Sequence, residues 1–275
     1  MDTTGSANSY ANGLAAGGAV GPGQERLLEG KTALIYGAGG NIGGAVARGF
    51  AARGAAVYLA GRHQKPLDVV AKDIADAGAT AETAVVDALD EEAVDAFTEK
   101  VVKSAKRIDV VFNAISYGEV QQPLMDISAD DFTRPIATAA RTHFLTTRAA
   151  ARQMLRQRSG VVLMFGGSGP QTQAGMGGFK IALDTMEGLR RQWALELGKQ
   201  GIRVVTMVTG GIVETIPWQE EGREEIVREI GRSAHLNTTA TLEDVGTVAA
   251  WIASDQARVI TDATINISAG AIVDY

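Results

Sequence analysis

Directly after the apolar run TALIY stands Gly37-Ala38-Gly39-Gly40-Asn41-Ile42-Gly43-Gly44, which opens a stretch of helical pattern. Backbone N–H groups at a helix start carry partial positive charge, and glycines let an anion approach them closely. A pyrophosphate suits such a turn, and the strand–turn–helix setting is what gives the glycines that meaning. The next apolar run ends Ala60-Gly61-Arg62. A carboxylate at that place would bind ribose hydroxyls. Here Gly61 stands instead, and the Arg62 guanidinium can grip a 2′-phosphate through two parallel hydrogen bonds, with His63 or Lys65 to assist. The expected cofactor is therefore NADP rather than NAD.

Bulk properties narrow the partners. A net charge of −6 argues against a nucleic acid, whose phosphates ask for a basic face. The chain has no cysteine, which removes disulfides, thiol nucleophiles and cysteine-ligated metals. His63, His143 and His235 lack metal-ligand spacing and read as surface or boundary residues. No run approaches the ~18 apolar residues of a membrane span, and no basic start precedes an apolar block. A cytoplasmic protein acting on a small-molecule substrate is expected.

The elements that must position these groups follow a regular alternation. Residues 1–29 are rich in Gly, Ala, Asn and Ser and are expected as a flexible tail, with one domain over 30–275. From there apolar runs (TALIY, AAVYLAG, TAETAVVDA, IDVVFNAIS, GVVLMFGG, IRVVTMVTG and ATINISAG) alternate with helical patterns. The longest of these is ADDFTRPIATAARTHFLTTRAAARQML, where Pro135 belongs near the first turn or at a kink. Connections of helical length impose parallel strands. The reading is an α/β fold: a doubly wound, seven-stranded parallel sheet of Rossmann type in a single domain, with ligands at the carboxyl ends of its strands.

The stretch KIALDTMEGLRRQWALELGKQGIRV, opened by Lys180, resembles the active-site helix of the short-chain dehydrogenase/reductase family. The resemblance runs from residue 31 to about 270. It includes the glycine turn, similar to the family's GxxxGxG with Gly37 first, Asn41 in the middle and Gly43 last. It also includes Asp87 after the third strand, Asn113-Ala114 in VFNAIS, and the late segments LEDVGTVAAWIASDQARVIT and INISAG. The resemblance implies that Asp87 touches adenine and that Gly37, Gly39, Asn41, Ile42, Gly43, Arg62, Asn113, Ala114 and Lys180 hold the dinucleotide. It implies a homodimer or homotetramer through the long helices around 131–155 and 180–199.

The family's catalytic set is Asn, Ser, Tyr and Lys. Here Ala139 holds the Asn position, Gly166-Gly167 replace the paired serines with Ser168 just beyond, and Met176 stands where the tyrosine belongs. Divergent enoyl reductases of this fold carry a methionine four before the lysine and a tyrosine three residues earlier, and that earlier place is Gln173 here. Gln173 can hydrogen-bond a carbonyl but cannot donate a proton as an acid. Tyr117, in the loop after the fourth strand, lies on the correct edge of the sheet to supply one or to orient substrate. His143, one turn after Ala139, is a further replacement acid, though a helix-interface role suits it better. Met164, Phe165, Met176, Phe179 and Trp218 outline an apolar pocket. The expectation is hydride transfer to or from a small, mostly apolar carbonyl or enone. Lys180 would bind the ribose, Ser168 or Gln173 would orient substrate, and water or Tyr117 would give the proton. The alternatives are an NADP-binding protein without redox chemistry, acting as a sensor or structural partner, and a non-redox lyase or isomerase.

Overall fold

The computed structural model describes residues 25–166, 172–236 and 238–273. Seven strands build one sheet: β1 Thr32–Tyr36, β2 Ala56–Gly61, β3 Ala81–Val85, β4 Val110–Asn113, β5 Gly160–Phe165, β6 Ile202–Val208 and β7 Ala263–Asn266. Their order is β3-β2-β1-β4-β5-β6-β7, and every pair is parallel. The helices are α1 Asn41–Ala52, α2 Gln64–Asp76, α3 Glu91–Ala105, α4 Ala129–Gln157, α5 Phe179–Leu197, α6 Arg223–Ser233 and α7 Leu242–Ala253. This is the doubly wound parallel sheet that the alternating pattern requires.

The apolar runs are continuous because successive side chains serve two cores. In β1, Ala33 and Ile35 join one buried cluster with Phe50 of α1 and Val245 of α7, while Leu34 and Tyr36 join another with Phe97 of α3 and Leu145 of α4. The edge strands depart from this. Every residue of β7 is only partly buried, and in β3 Glu82 and Val85 are exposed, because each has a neighbour on one side only.

Helix starts are marked by local chemistry. Asp90 accepts from the N–H groups of Glu92 and Ala93, Ser128 accepts from Asp131, and Thr241 with Asp244 forms a reciprocal capping box. Pro135 falls inside α4, is buried, and does not interrupt it. Strand order reverses between β1 and β4, and there the carboxyl ends part to leave a crevice.

The boundary expected at residue 29/30 lies too late. Leu28 is fully buried in the cluster under α1 and α7, and its N–H donates to the Arg53 carbonyl at 2.9 Å. Two apolar residues between charged neighbours are enough to anchor this segment.

Helices α1 and α7 cross at backbone contact. A Cβ on Gly49 would stand 2.6 Å from the Gly246 carbonyl oxygen, and one on Gly246 would stand 2.7 Å from that of Ala45. Gly49→Ala is expected to cost about 1–3 kcal/mol through helix displacement, read as a lower urea midpoint at unchanged slope. Gly231→Ala, where nothing lies within 4 Å of the new methyl, should leave the midpoint unchanged or raise it.

Candidate active site

The crevice at the reversal point is a cavity of about 300 Å³. Gly37 and Gly39 of the glycine turn, Gly61 and Arg62 after β2, Asp87 to Leu89 after β3, and Ala114 to Ser116 after β4 all face it, with Thr138 and Thr142 of α4. Its size is at the lower end for ligand sites, fitting one half of a dinucleotide.

The glycines are required by close backbone approach. Gly37 has φ +75°, and a Cβ on it would stand 2.4 Å from the Ala114 carbonyl oxygen. A Cβ on Gly43 would stand 2.2 Å from the Gly37 carbonyl oxygen, and one on Gly39 would stand 2.7 Å from Pro66 Cβ. Gly40 caps α1 without a side chain, and the first turn of α1 holds no acidic residue. The helix start is therefore open to an anion, so the residues present fit a nucleotide pyrophosphate.

Several expected residues reach this cleft and others support it. Gly37, Gly39, Arg62, Asp87 and Ala114 line it. Asn41 is exposed at the first position of α1, Ile42 packs against the core, and Gly43 lies beneath the turn. Asn113 turns inward: its Nδ2 donates to Thr146 Oγ1 at 3.0 Å, and its Oδ1 accepts from the Ile115 N–H at 3.1 Å. It pegs the loop that forms the wall rather than facing the cavity. Asp87 Oδ1 accepts from the Leu89 N–H, and Arg141 of α4 donates to the Leu89 carbonyl. Arg141, Thr138 and Thr142 carry no motif, and only the placement of α4 brings them here.

A second cluster lies between α4 and α5. The Tyr117 ring packs with Ala139, Ala182, Leu183 and Met186, flanked by Ile136, Met176 and Phe179. Ala139, at the place the sequence resemblance gives to Asn, belongs to the same cluster. The phenol oxygen lies 3.0 Å from His143 Nε2 and also meets Met186 Sδ. His143 is fully buried under the Tyr117 loop, which excludes the surface or boundary place its residue type suggests and agrees with the helix-interface place its position on α4 suggests. Burial holds the imidazole pKa down at about 4 and pushes the Tyr117 phenol up, helped by the nearby Glu119 carboxylate.

Lys180 lies in the first turn of α5 and pairs with Asp184 one turn on. Gln173 is exposed in the segment before α5 and does not join the Tyr117 cluster. Ser168 lies outside the described residues. The apolar pocket outlined in the sequence is corrected in part. Met164 belongs to the sheet core, Phe165 packs edge-on against Phe112, and Trp218 is exposed beneath the Arg223 guanidinium. Only Met176 and Phe179 remain of that set. Among the described residues no three His, Asp or Glu side chains are placed to hold a metal, and no helix is long and apolar enough to cross a membrane.

A glycine cradle at the β1/β4 reversal, with an arginine at the end of β2, defines a nucleotide-binding doubly wound domain. The Enoyl-(Acyl carrier protein) reductase family matches residues 37–271. A 3-oxoacyl-(acyl-carrier-protein) reductase of Rickettsia conorii is 32% identical over 254 residues, covering 90% of this chain and 98% of the relative. A meso-2,3-butanediol dehydrogenase of Serratia marcescens is 29% identical over 247 residues, 89% of this chain and 95% of that one. The crystal structure of NAD+-bound xylitol dehydrogenase matches with a TM-score of 0.81 at 25% identity, over 88% of this chain and 99% of that one. The chain belongs to the short-chain dehydrogenase/reductase family of oxidoreductases.

The buried imidazole has a consequence for stability. Its folded pKa is lower than the ordinary value of about 6.5. The unfolded chain therefore binds more protons between those values, and the stability from burying neutral His143 is full above pH 6.5 and lost as pH falls toward 4. Between pH 7 and pH 5 the unfolding free energy should fall about 2 kcal/mol further in the wild type than in His143→Leu. Parallel urea titrations of the two proteins check this.

Proposed function

We propose that the chain is an NADP(H)-dependent oxidoreductase acting on a small, mostly apolar carbonyl or enone. The observation that carries this reading is the β1/β4 cleft with Arg62 on its lip and Gly61, not a carboxylate, at the end of β2. Arg62 would hold a 2′-phosphate, the open start of α1 the pyrophosphate, the walls at Asp87 and Ala114 the adenosine half, and Lys180 the nicotinamide ribose. The bound nucleotide supplies or accepts the hydride. The apolar neighbours Met176, Phe179 and Ile136 favour an apolar substrate beside the phenol of Tyr117. The relatives named as an acyl-carrier-protein reductase and a butanediol dehydrogenase support carbonyl–alcohol interconversion.

A second reading, NADP binding without turnover, draws on Met176 in place of the family's tyrosine and on the exposure of Gln173. Fluorescence titration with NADPH and NADH, then stopped-flow oxidation of bound NADPH against a panel that includes cyclohexanone and cyclohexenone, separates the two. Tight NADPH binding with turnover is expected, and binding with none across the panel favours the second reading. Arg62→Asp should weaken NADPH at least tenfold more than NADH. Equal losses would remove the 2′-phosphate assignment.

We also propose that the protein is a homodimer through α4 and α5. On α5, Ile181, Gly188 and Leu195 recur every seven residues, which aligns them along one side of the helix. Ile181 and Leu195 are exposed, and a Cβ on Gly188 would meet nothing within 4 Å. A second copy of this stripe would cover them. Leu195→Asp is expected to sediment as a monomer where the wild type sediments as a dimer. A monomeric wild type would overturn the assignment.

A further inference from the structure

The buried pair Tyr117 and His143 has a geometry that neither residue type implies alone. The two stand 26 positions apart in the chain, on the loop after β4 and on α4, and meet at 3.0 Å. The other imidazole nitrogen, Nδ1, is buried and has no hydrogen-bond partner among the described residues. One ring nitrogen of a neutral imidazole carries the proton and the other a lone pair. A buried N–H without an acceptor is rarer and costlier than a buried acceptor without a donor. The orphan Nδ1 is therefore the lone pair, and Nε2 carries the hydrogen. Nε2–H then donates to the Tyr117 oxygen, so the phenol proton points elsewhere.

Where it points is set by α5. The Tyr117 oxygen meets Met186 Sδ, and Met186 Cε lies 3.0 Å from where a Cβ on Gly166 would stand. Gly166 directly follows β5, at the place of the first of the paired serines in the resemblance drawn from sequence. The hydroxyl thus lies at the carboxyl edge of the sheet, within two contacts of that residue, in the cluster that includes Met176. A thioether is a weak acceptor, and Met186 is fully buried over the phenol, so a substrate oxygen takes its place only as the Met186 side chain swings aside.

We propose that Tyr117 is the proton donor that stands in for the tyrosine absent at Met176, and that His143 is its positioning residue, holding the phenol oxygen through Nε2–H. This rests on the oxidoreductase reading above. In the reduction, the carbonyl carbon gains a hydride from the reduced nucleotide while its oxygen gains the Tyr117 proton. A C–H and an O–H bond form, the carbonyl π bond, the phenol O–H bond and the hydride-bearing C–H bond of the reduced nucleotide break, and the charge left on the Tyr117 oxygen is held by the His143 N–H. Water returns the proton when product leaves. Burial and the Glu119 carboxylate favour the neutral phenol, and burial keeps the imidazole neutral, so both start in the required form. Arg134 of α4 donates to the Gly118 carbonyl, and Lys180 and Asp184 of α5 pair with each other.

The test uses the full chain with NADPH and cyclohexanone or cyclohexenone, together with ¹⁵N spectra of the imidazole in the nucleotide-free protein. Tyr117→Phe should lower single-turnover reduction by about 10²–10⁴-fold while NADPH affinity stays within about twofold. His143→Leu should lower kcat about tenfold at unchanged KM. His143→Gln, which offers an amide N–H at similar reach, should recover most of that loss. The spectra should show protonated Nε2 and bare Nδ1 from pH 6 to 8. A protonated Nδ1, or a Tyr117→Phe variant with kcat within about threefold of an active wild type, overturns this inference and leaves the proposed function intact. A folded His143→Leu that matches an active wild type removes the positioning role. A wild type that binds NADPH and reduces neither probe overturns the proposed function and the donor role together.

Discussion

The close approach of two backbones at the β1/β4 reversal is the constraint on which the rest depends. Gly37 leaves β1 in a left-handed conformation with the Ala114 carbonyl where its side chain would be. Gly43 then lets α1 sit directly on the Gly37 carbonyl. Any side chain at either place would push α1 away from the sheet or pry β1 from the loop after β4. With both absent, the start of α1 faces the crevice, and the anion-binding end of the helix and the cavity walls occupy one place. The backbone crossing of α1 and α7 holds the same helix from behind.

The chemical end is arranged by a different rule. Helices α4 and α5 pack along one another, and the loop from β4 drops an aromatic ring between them. The ring has room because residue 139 is alanine, and it ends on an imidazole one helical turn further along α4. Lys180 stands on the same α5 whose Met186 closes the ring's other side. The nucleotide cleft and the Tyr117 cluster share α4, which lends Thr138 and Thr142 to one and Ala139 and His143 to the other.

Much of the fold was legible because its signals are short-ranged. Apolar runs bounded by helical patterns define strands, and each pattern is complete within a few residues. The glycine turn and Arg62 were legible for the same reason, since each sits at the end of a strand. Burial was less so. By residue type His143 reads as a surface or boundary residue, against the helix-interface role its place on α4 suggests, and Trp218 reads as pocket lining because it is apolar; the first is fully buried and the second exposed. Both errors come from residue type, which says nothing of what packs over a side chain. Leu28 looked like part of a tail because its neighbours are charged and its partners, such as Phe50 and Val245, lie elsewhere in the chain.

By itself the sequence determined the parallel doubly wound sheet and the glycine turn that opens α1, since these follow from local pattern and position along a strand or helix. Only the tertiary structure decided that Asn113 turns inward to Thr146, that Gln173 stays outside the cluster, and that Tyr117 meets His143. Each of those depends on the direction in which a side chain leaves its backbone and on which distant helix closes over it. Such contacts are settled by the packing of whole elements rather than by spacing along the chain.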